Sequence, residues 1–475
     1  MITAPTTPST SADLKAELHY GYIWLISCVA ALGGLLFGWD WVVIGGAKQF
    51  FESYFQIAGN ATLSGWATSC ALIGCFLGAL TAGALSDKLG RKRLLIFSAF
   101  LFAITSLGNA LAGNFTLFIF WRILGGVAIG LASNLSPMYI AEIAPANLRG
   151  RLVAINQLTI VTGVLGAQVL NWYLGRDLPA GATDDYIRAS WFGQTAWRWM
   201  FGLTAIPSLL FFVGMFLVPE SPRWLAKKGR SEHARGILEK IGGAPYASAA
   251  LADINATLVN ETNRVDFSEL FQPRLMKVLM IGIGLAVFQQ WCGINSIFNY
   301  AQEIFKAAGY DISTTLKNIA WTGSVNFAFT LVALGSVDRF GRRPLMLFGS
   351  VGLAIIYAIL AFCYHQHVQG IPVLLLVLAA IACYSLSLAP VTWVVISEIF
   401  PNRIRGAAMA VAVASLWLAC FALTFAFPTL NKELGAAGTF GLYSGICVLG
   451  FIFIKFTLPE TKNKSLEQIE RELVD

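Results

Sequence analysis

Asp87-Lys-Leu-Gly-Arg-Lys-Arg93 recurs in the second half of the chain as Asp338-Arg-Phe-Gly-Arg-Arg-Pro344. A second pair follows in the same order, Glu142-Ile-Ala-Pro-Ala-Asn-Leu-Arg-Gly150 and Glu398-Ile-Phe-Pro-Asn-Arg-Ile-Arg-Gly406. Self-similar motifs in a fixed order indicate an internal repeat. We therefore predict two halves with the same orientation, a parallel repeat.

A third pair, Pro219-Glu-Ser-Pro-Arg223 and Pro459-Glu-Thr-Lys462, closes each half. Of the 475 residues, 56% are hydrophobic and 12% charged, whereas soluble domains carry about twice that charge. A helix of about 20 residues crosses the hydrocarbon core of a bilayer. Twelve apolar stretches reach that length, and we predict helices at 22–46, 64–86, 94–112, 115–138, 151–174, 198–218, 276–300, 317–337, 345–363, 371–396, 405–428 and 438–458.

These stretches predict an all-α membrane protein with twelve transmembrane helices in two six-helix bundles. The bundles are expected at 22–218 and 276–458, joined by a polar helical linker at 219–275. Tails are expected at 1–21 and 459–475. With an even number of spans, both tails lie on one side of the membrane.

Most of the 33 lysines and arginines fall on the side that carries the tails. The positive-inside bias makes that side cytoplasmic, in a cell membrane that we expect to be a bacterial inner membrane. The basic residues are spread over many loops rather than gathered in one stripe, which argues against a nucleic-acid partner. All eight cysteines fall inside predicted spans and are interpreted as small buried side chains, so we expect no metal site.

Charged residues in the repeated loops form a candidate cytoplasmic gate. Arginine pairs with carboxylate in a planar two-point geometry, so such clusters can lock bundle ends together and re-form in another state. The alternative is that these charges only fix topology. The gate residues are Asp87, Arg91, Glu142, Arg149, Glu220 and Arg223 in the first half, and Asp338, Arg342, Arg343, Glu398, Arg405 and Glu460 in the second.

The seventh span has the composition of a sugar site. Four amides and a phenol interrupt its apolar run: Gln289, Gln290, Asn295, Asn299 and Tyr300. Amides match sugar hydroxyls because both donate and accept hydrogen bonds, and polar groups in a membrane are costly without a partner. Gly293 lies between these amides and predicts a break in the helix. The alternative is that the amides only join neighbouring helices.

Two ionisable residues, Asp40 and Arg122, fall deep inside predicted spans. We expect them to pair, because neither charge is stable alone in hydrocarbon. A carboxylate that is paired in one state and unpaired in another can carry a proton. A purely structural pair is the alternative.

Together these motifs make the chain resemble the sugar porter family of the major facilitator superfamily over roughly residues 20–465. The resemblance is carried by Gly90-Arg91-Lys92-Arg93, Pro219-Glu-Ser-Pro-Arg223, Gln289-Gln290-x-x-Gly293-Ile294-Asn295, Asp338-x-x-Gly-Arg-Arg343 and Pro459-Glu-Thr-Lys462. By position in that family, it implies sugar contacts at Phe37, Gln157, Gln290, Asn326, Trp393 and Trp417, and a proton-carrying role for Asp40. Val164, Asn299 and Leu416 depart from the pattern of the bacterial xylose porters, which makes xylose itself a doubtful substrate.

The resemblance implies a secondary active transporter that moves a pentose or hexose, such as xylose, glucose or galactose, together with a proton. Its expected partners are the sugar, the proton and the lipid bilayer, and it is expected to act as a monomer without a cofactor. Nothing in the sequence suggests a nucleophile with its base or a nucleotide-binding loop, so we do not expect an enzyme. A proton-independent facilitator and a transporter-like sugar sensor remain as alternatives.

Overall fold

The computed structural model describes residues 18–260, 272–401, 405–462 and 464. Every regular element in these ranges is a helix. The core of a bilayer offers no water to backbone N–H and C=O groups. In a helical protein that crosses it, these groups form their hydrogen bonds within each helix.

The N-terminal half contains the first six spans. Its last span begins with a π-helical turn, Phe192–Ala196, and continues through two short helices. The helices of this half are α1 (Tyr20–Phe55), α2 (Ala61–Leu89), α3 (Arg91–Leu111), α4 (Phe115–Ile143), α5 (Arg149–Gly175), α6 (Asp184–Ala189), α7 (Trp197–Gly202) and α8 (Ala205–Leu217). The chain between the halves forms α9 (Pro222–Lys227) and α10 (Ser231–Asn260), the latter kinked at Gly242 and Gly243.

The C-terminal half contains the remaining spans, two of which, the seventh and the tenth, are interrupted. The seventh span is divided into two helices and is followed by a third short one, and the tenth span breaks at Ser387. The last two spans form one helix that is kinked at Gly435. The helices are α11 (Pro273–Trp291), α12 (Ile294–Asn299), α13 (Ala301–Ala307), α14 (Ile312–Phe340), α15 (Arg342–His365), α16 (Ile371–Leu386), α17 (Leu388–Ile399) and α18 (Arg405–Thr457).

Eleven helical segments of the described chain are long and apolar enough to cross a membrane. The last of them, Ala407–Thr457, has 51 residues and contains two spans on either side of Gly435. The predicted all-α fold with twelve spans is therefore confirmed. Several helices extend beyond the predicted stretches. The helix α1 continues to Phe55 rather than ending at 46, and the charged residues Lys48 and Glu52 therefore lie within the helix rather than in a loop.

We call the side where α1 begins and α18 ends the terminal face, and the other side the opposite face. The two halves contact each other toward the opposite face, where α2 packs on α18, α5 on α14, and α1 on α12 and α13. Near this face, α2 and α18 approach at Gly65 and Phe425, and α5 and α14 approach at Gly175 and Leu316.

Glycines allow α2 and α4 to pack backbone against backbone. A Cβ on Gly74 would lie 2.0 Å from the carbonyl oxygen of Ile123, and one on Gly126 would lie 1.9 Å from that of Ala71. Small residues of this kind drive close helix packing in membranes, where dispersion contacts replace the hydrophobic effect. This contact holds α4, and with it Arg122, in a fixed position.

We predict that Gly126→Ala lowers the melting temperature of the detergent-solubilised protein. The new methyl group must push α2 and α4 apart, at a cost of about 1–3 kcal/mol for overpacking. Gly83→Ala on α2 is the matched control, since nothing lies within 4 Å of its Cβ position. Thermal unfolding followed by tryptophan fluorescence measures both, and equal melting temperatures would contradict the packing argument.

Candidate functional site

The seventh span breaks at Gly293, as the sequence predicts. Gly293 has a φ of +91°, a left-handed conformation that favours glycine. Its Cβ position lies 2.7 Å from the ring of Tyr443, so a larger residue has no room. The break separates α11 from α12 and places Gln289 and Gln290 before it and Asn295 after it.

Three of the predicted amides are linked in a chain. Asn295 Nδ2 donates to Gln290 Oε1 at 2.5 Å, and Gln290 Nε2 donates to Gln289 Oε1 at 3.1 Å. Each of the three side chains is more than nine-tenths buried. A primary amide has two donors and an acceptor. The three linked amides therefore still have free donors and acceptors for a polar ligand.

The two remaining polar residues of this span differ in their environment. Tyr300 is fully buried, donates its hydroxyl to the carbonyl oxygen of Thr424 at 2.5 Å and stacks on Phe427 at 4.3 Å between centroids. Its hydroxyl is thus already engaged within the C-terminal half. Asn299 is also buried, and its carbonyl lies near Gly45 of α1 at the contact between the halves.

An aromatic cluster crosses from one half to the other. Trp417 of α18 lies 6.1 Å from Phe37 and 5.9 Å from Trp41 of α1, measured between ring centroids. Trp417 is 3% exposed, and its indole Nε1 has no hydrogen-bond partner among the described residues. A buried donor without a partner is costly, so this N–H is available to a ligand hydroxyl.

The other predicted contacts lie on separate helices. Asn326 on α14 accepts a hydrogen bond from Ser385 Oγ at 2.7 Å and is buried. Gln157 on α5 is half-buried, and Trp393 on α17 is 40% exposed. Among the described residues, no ring contact joins Trp393 to the cluster of Phe37, Trp41 and Trp417.

Asp40 and Arg122 form the expected pair between α1 and α4. Arg122 Nη1 lies 3.2 Å and 3.1 Å from the two oxygens of Asp40. The side chain of Arg122 is 3% exposed and that of Asp40 is 8% exposed. The guanidinium also lies 5.4 Å from the centroid of the Phe201 ring. Within the part of the chain that the structure covers, Arg122 Nε has no hydrogen-bond partner.

The predicted gate residues of the N-terminal half form one cluster at the terminal face. Arg91 binds Glu142 at 3.0 Å and Asp87 at 3.2 Å, while Glu220 Oε1 accepts the backbone N–H groups of Arg91 and Lys92, both at 3.0 Å. Burial opposes ionisation of Asp87, but hydrogen bonding and charge from Lys227, together with Arg91, hold its pKa below the usual value. The last two predicted residues of this half are the exposed Arg149 at the start of α5 and Arg223 in α9.

The C-terminal half repeats this geometry. Arg342 pairs with Glu398 at 3.1 Å, and Glu460 accepts the backbone N–H groups of Arg342 and Arg343 at 3.0 Å and 3.1 Å. Thr461 Oγ1 also donates to Glu398 at 2.6 Å. The predicted side chains of Asp338 and Arg405 lie outside the described residues.

In the described part of the chain, every gate pair named above stays within its own half. The sequence suggests clusters that lock the two halves together, whereas in this conformation each cluster ties helices of a single bundle to its closing Pro-Glu motif. The terminal ends of the halves are therefore not held together by these pairs.

A charged contact between the halves, which was not predicted from the sequence, lies at the opposite face. Lys48 of α1 pairs with Glu303 of α13 and, at 3.0 Å, with Glu52. Gln302 beside Glu303 donates to the carbonyl oxygen of Gly46 at 2.8 Å and accepts the N–H of Gln49 at 3.0 Å. The available signal was the i,i+4 spacing of Lys48 and Glu52, which is typical of a helical pair.

Comparison with known proteins agrees with this architecture. A family described as "Sugar (and other) transporter" matches residues 26–473. The glucose transport protein of Synechocystis sp. is 40% identical, covering 97% of this chain and 100% of that protein. The D-xylose-proton symporter of Escherichia coli is 38% identical, covering 96% of this chain and 97% of the symporter.

Solved structures give the same result. The inward open conformation of the xylose transporter XylE from E. coli has a TM-score of 0.84 at 37% identity, covering 95% of this chain and all of that one. This is a family of multi-pass membrane transporters rather than of enzymes. The chain therefore belongs to the sugar transporter family of the major facilitator superfamily.

Proposed function

We propose that this protein takes up a monosaccharide, a pentose or a hexose, together with a proton by alternating access. The observation that carries this function is the position of Phe37, Asp40 and Trp41 within about one turn of α1. Phe37 and Trp41 contact Trp417 of the other half, while Asp40 binds Arg122. One helical turn thus touches both the candidate sugar site and the candidate proton site. The names of the relatives, which include a glucose transport protein and xylose and arabinose symporters, support this substrate class.

The sugar site consists of amides from the C-terminal half and aromatic rings from both halves. Gln289, Gln290 and Asn295 provide hydrogen bonds to hydroxyl groups, and the indole N–H of Trp417 adds a donor. The faces of Phe37 and Trp417 suit the apolar C–H face of a sugar ring. Gln157, Asn299, Asn326 and Trp393 are assigned as further sugar contacts. Tyr300, whose hydroxyl binds the carbonyl oxygen of Thr424, stabilises the broken span.

The proton site is the carboxylate of Asp40. In this conformation the guanidinium of Arg122 is the counter-ion of that carboxylate. When the helices move and the pair separates, a proton can take the place of Arg122. A change in the distance between α1 and α4 therefore determines whether the proton is held. Because sugar binding acts on the same turn of α1, the two events become coupled.

We further propose that the terminal face is cytoplasmic and that both termini lie in the cytoplasm, in keeping with the positive-inside bias. The two bundles that move relative to each other are then residues 22–218 and 276–458, and the segment 219–275 joins them. Because one chain contributes both sides of the site, a monomer is sufficient. The gate clusters would form contacts across the halves in the conformation that closes the cytoplasmic side.

The pairing of Lys48 with Glu303 closes the opposite face in this proposal. Separation of the halves at that face must break this pair and the two hydrogen bonds of Gln302. Removal of one partner leaves a charge without its counter-ion, which is costly where water is scarce. The pair therefore favours the conformation in which the opposite face is closed.

We predict that Gln290→Ala weakens sugar binding. Loss of the two-way hydrogen-bonding side chain costs about 0.5–1.5 kcal/mol, a Kd roughly two- to twelve-fold higher. Calorimetry with glucose, galactose and xylose on purified protein measures the change, and Gln366→Ala at the exposed end of α15 is the control. Unchanged affinity for a sugar that the wild type binds would remove Gln290 from the site.

We predict that Asp40→Asn abolishes uphill accumulation while sugar exchange continues. Asparagine keeps the size of the side chain but cannot carry the proton. Potential alone supplies about 2.3 kcal/mol per charge at 100 mV, enough for a roughly forty-fold sugar gradient. The variant should stop near equal concentrations in energised proteoliposomes and still show counterflow.

Asp177→Asn, at a carboxylate that is 82% exposed, is the matched control and should accumulate sugar normally. Accumulation by Asp40→Asn would place the proton site elsewhere. A wild type that equilibrates sugar without accumulation would identify a facilitator. A wild type that binds sugar but neither accumulates nor exchanges it would favour the sensor.

We predict that Lys48→Gln opens the opposite face more often. Glu303 is 30% exposed, so we expect an effect of about 1–3 kcal/mol, at least roughly a fivefold shift in population. Double electron–electron resonance between labels at Ala58 and Lys432, which lie in different halves, measures it. Lys306→Gln on α13 is the exposed control, and the charge exchange Lys48→Glu with Glu303→Lys should restore the wild-type distances. A distance distribution unchanged by Lys48→Gln would show that the pair does not hold this face closed.

A further inference from the structure

A groove of about 900 Å³ runs along the outside of the C-terminal half between α11 and the last span of α18. Its walls include Met280, Leu449 and Phe456, which are 55%, 66% and 78% exposed. Side chains exposed to this extent on a membrane-spanning surface face lipid rather than protein. All the lining residues belong to the C-terminal half, so the groove is separate from the candidate sugar and proton sites.

Two glycines shape the floor of the groove. The Cβ position of Gly284 lies 2.6 Å from the ring of Phe453, and that of Gly450 lies 2.0 Å from the ring of Phe288. The two rings therefore occupy the space that side chains at Gly284 and Gly450 would need, and they form part of the apolar wall of the groove. From Lys277 to Trp291, along α11, the channel is about 21 Å long at the helical rise, longer than the roughly 15 Å half-thickness of the hydrocarbon core.

Three cations line one end of the groove, at the terminal face. They are Lys277 near the start of α11, Arg343 in the first turn of α15, and Lys455 near the end of α18. The two lysines are exposed, and Arg343 Nε is buried without a hydrogen-bond partner among the described residues. Arg343 Nη2 donates to the carbonyl oxygen of Lys455 at 2.7 Å, which holds two of the cations together.

The charge at this end is not balanced by the lining residues. None of the described residues that line the groove is an aspartate or a glutamate. Glu460, which follows the lining residue Pro459, accepts the backbone N–H groups of Arg342, Arg343 and Lys462. The carboxylate of Glu460 therefore binds the backbone N–H groups at the start of α15 rather than the cationic side chains of the groove.

An apolar channel longer than half the hydrocarbon core, with a cationic end at the terminal face, matches the acyl chain and head group of an anionic phospholipid. Basic pockets between membrane helices bind the head groups of anionic lipids. We propose that this groove binds an anionic phospholipid of the leaflet at the terminal face, with an acyl chain along α11 and α18 and its phosphate at Lys277, Arg343 and Lys455. The lipid then forms part of the packing between the seventh and twelfth spans.

Native mass spectrometry of the detergent-purified full chain, titrated with phosphatidylglycerol or phosphatidylcholine, tests the proposal. The wild type should retain one phosphatidylglycerol at least tenfold more strongly than phosphatidylcholine. The triple variant Lys277→Gln, Arg343→Gln, Lys455→Gln should lose this preference. Leu449→Trp, which narrows the channel without altering charge, should reduce retention of both lipids.

A control triple variant removes the same charge elsewhere on the terminal side. Lys88, Lys228 and Lys240 are all exposed there and outside the groove, and their replacement by glutamine should leave the preference intact. If both triple variants lose the preference for phosphatidylglycerol equally, the preference depends only on net charge and the proposed lipid site is wrong. Displacement of the lipid by inorganic phosphate with no effect of Leu449→Trp would identify a phosphate site without a lipid.

Discussion

The ion pair between Asp40 and Arg122 is the constraint on which the rest of the molecule depends. A single charge at the centre of a bilayer costs about 2.5–3.5 kcal/mol on insertion scales, so each of these residues needs the other. The pair fixes the position of α1 relative to α4, and the glycine contact of α4 with α2 makes that position reproducible. Any movement that separates the pair must supply another partner, and a proton on Asp40 is the simplest one.

The two faces differ in how the halves are connected, and this difference determines which face is closed in this conformation. Lys48 and Gln302 join the halves at the opposite face, whereas Arg91 and Arg342 are bound within their own halves at the terminal face. In the proposed function, the repeated arginines exchange partners between conformations, because a guanidinium can leave one carboxylate for another without a change in its own charge. Alternating access requires two such discrete arrangements rather than a continuous deformation.

Much of the fold and part of the site could be predicted from the sequence. Hydrophobic length gives the spans, and the cost of buried charge brings Asp40 and Arg122 together. The amides of the seventh span were found because polar residues are rare in such a segment. The end of α1 was missed because Lys48 and Glu52 resemble a loop when hydropathy is read along one chain. Their counter-ion, Glu303, lies in the other half of the sequence, so only the folded structure joins them. The pairing within each half at the terminal face also depends on the conformation, which no motif encodes.

The central claim is that one sugar and one proton cross the membrane together through Asp40. The most direct test is the proton flux that accompanies sugar entry, measured with a pH-sensitive dye inside proteoliposomes that have no initial gradient other than sugar. With outside sugar at saturating concentration, the account predicts acidification of the lumen at one proton per sugar, with the potential clamped at zero. Sugar entry at the same rate with no change in internal pH would contradict it.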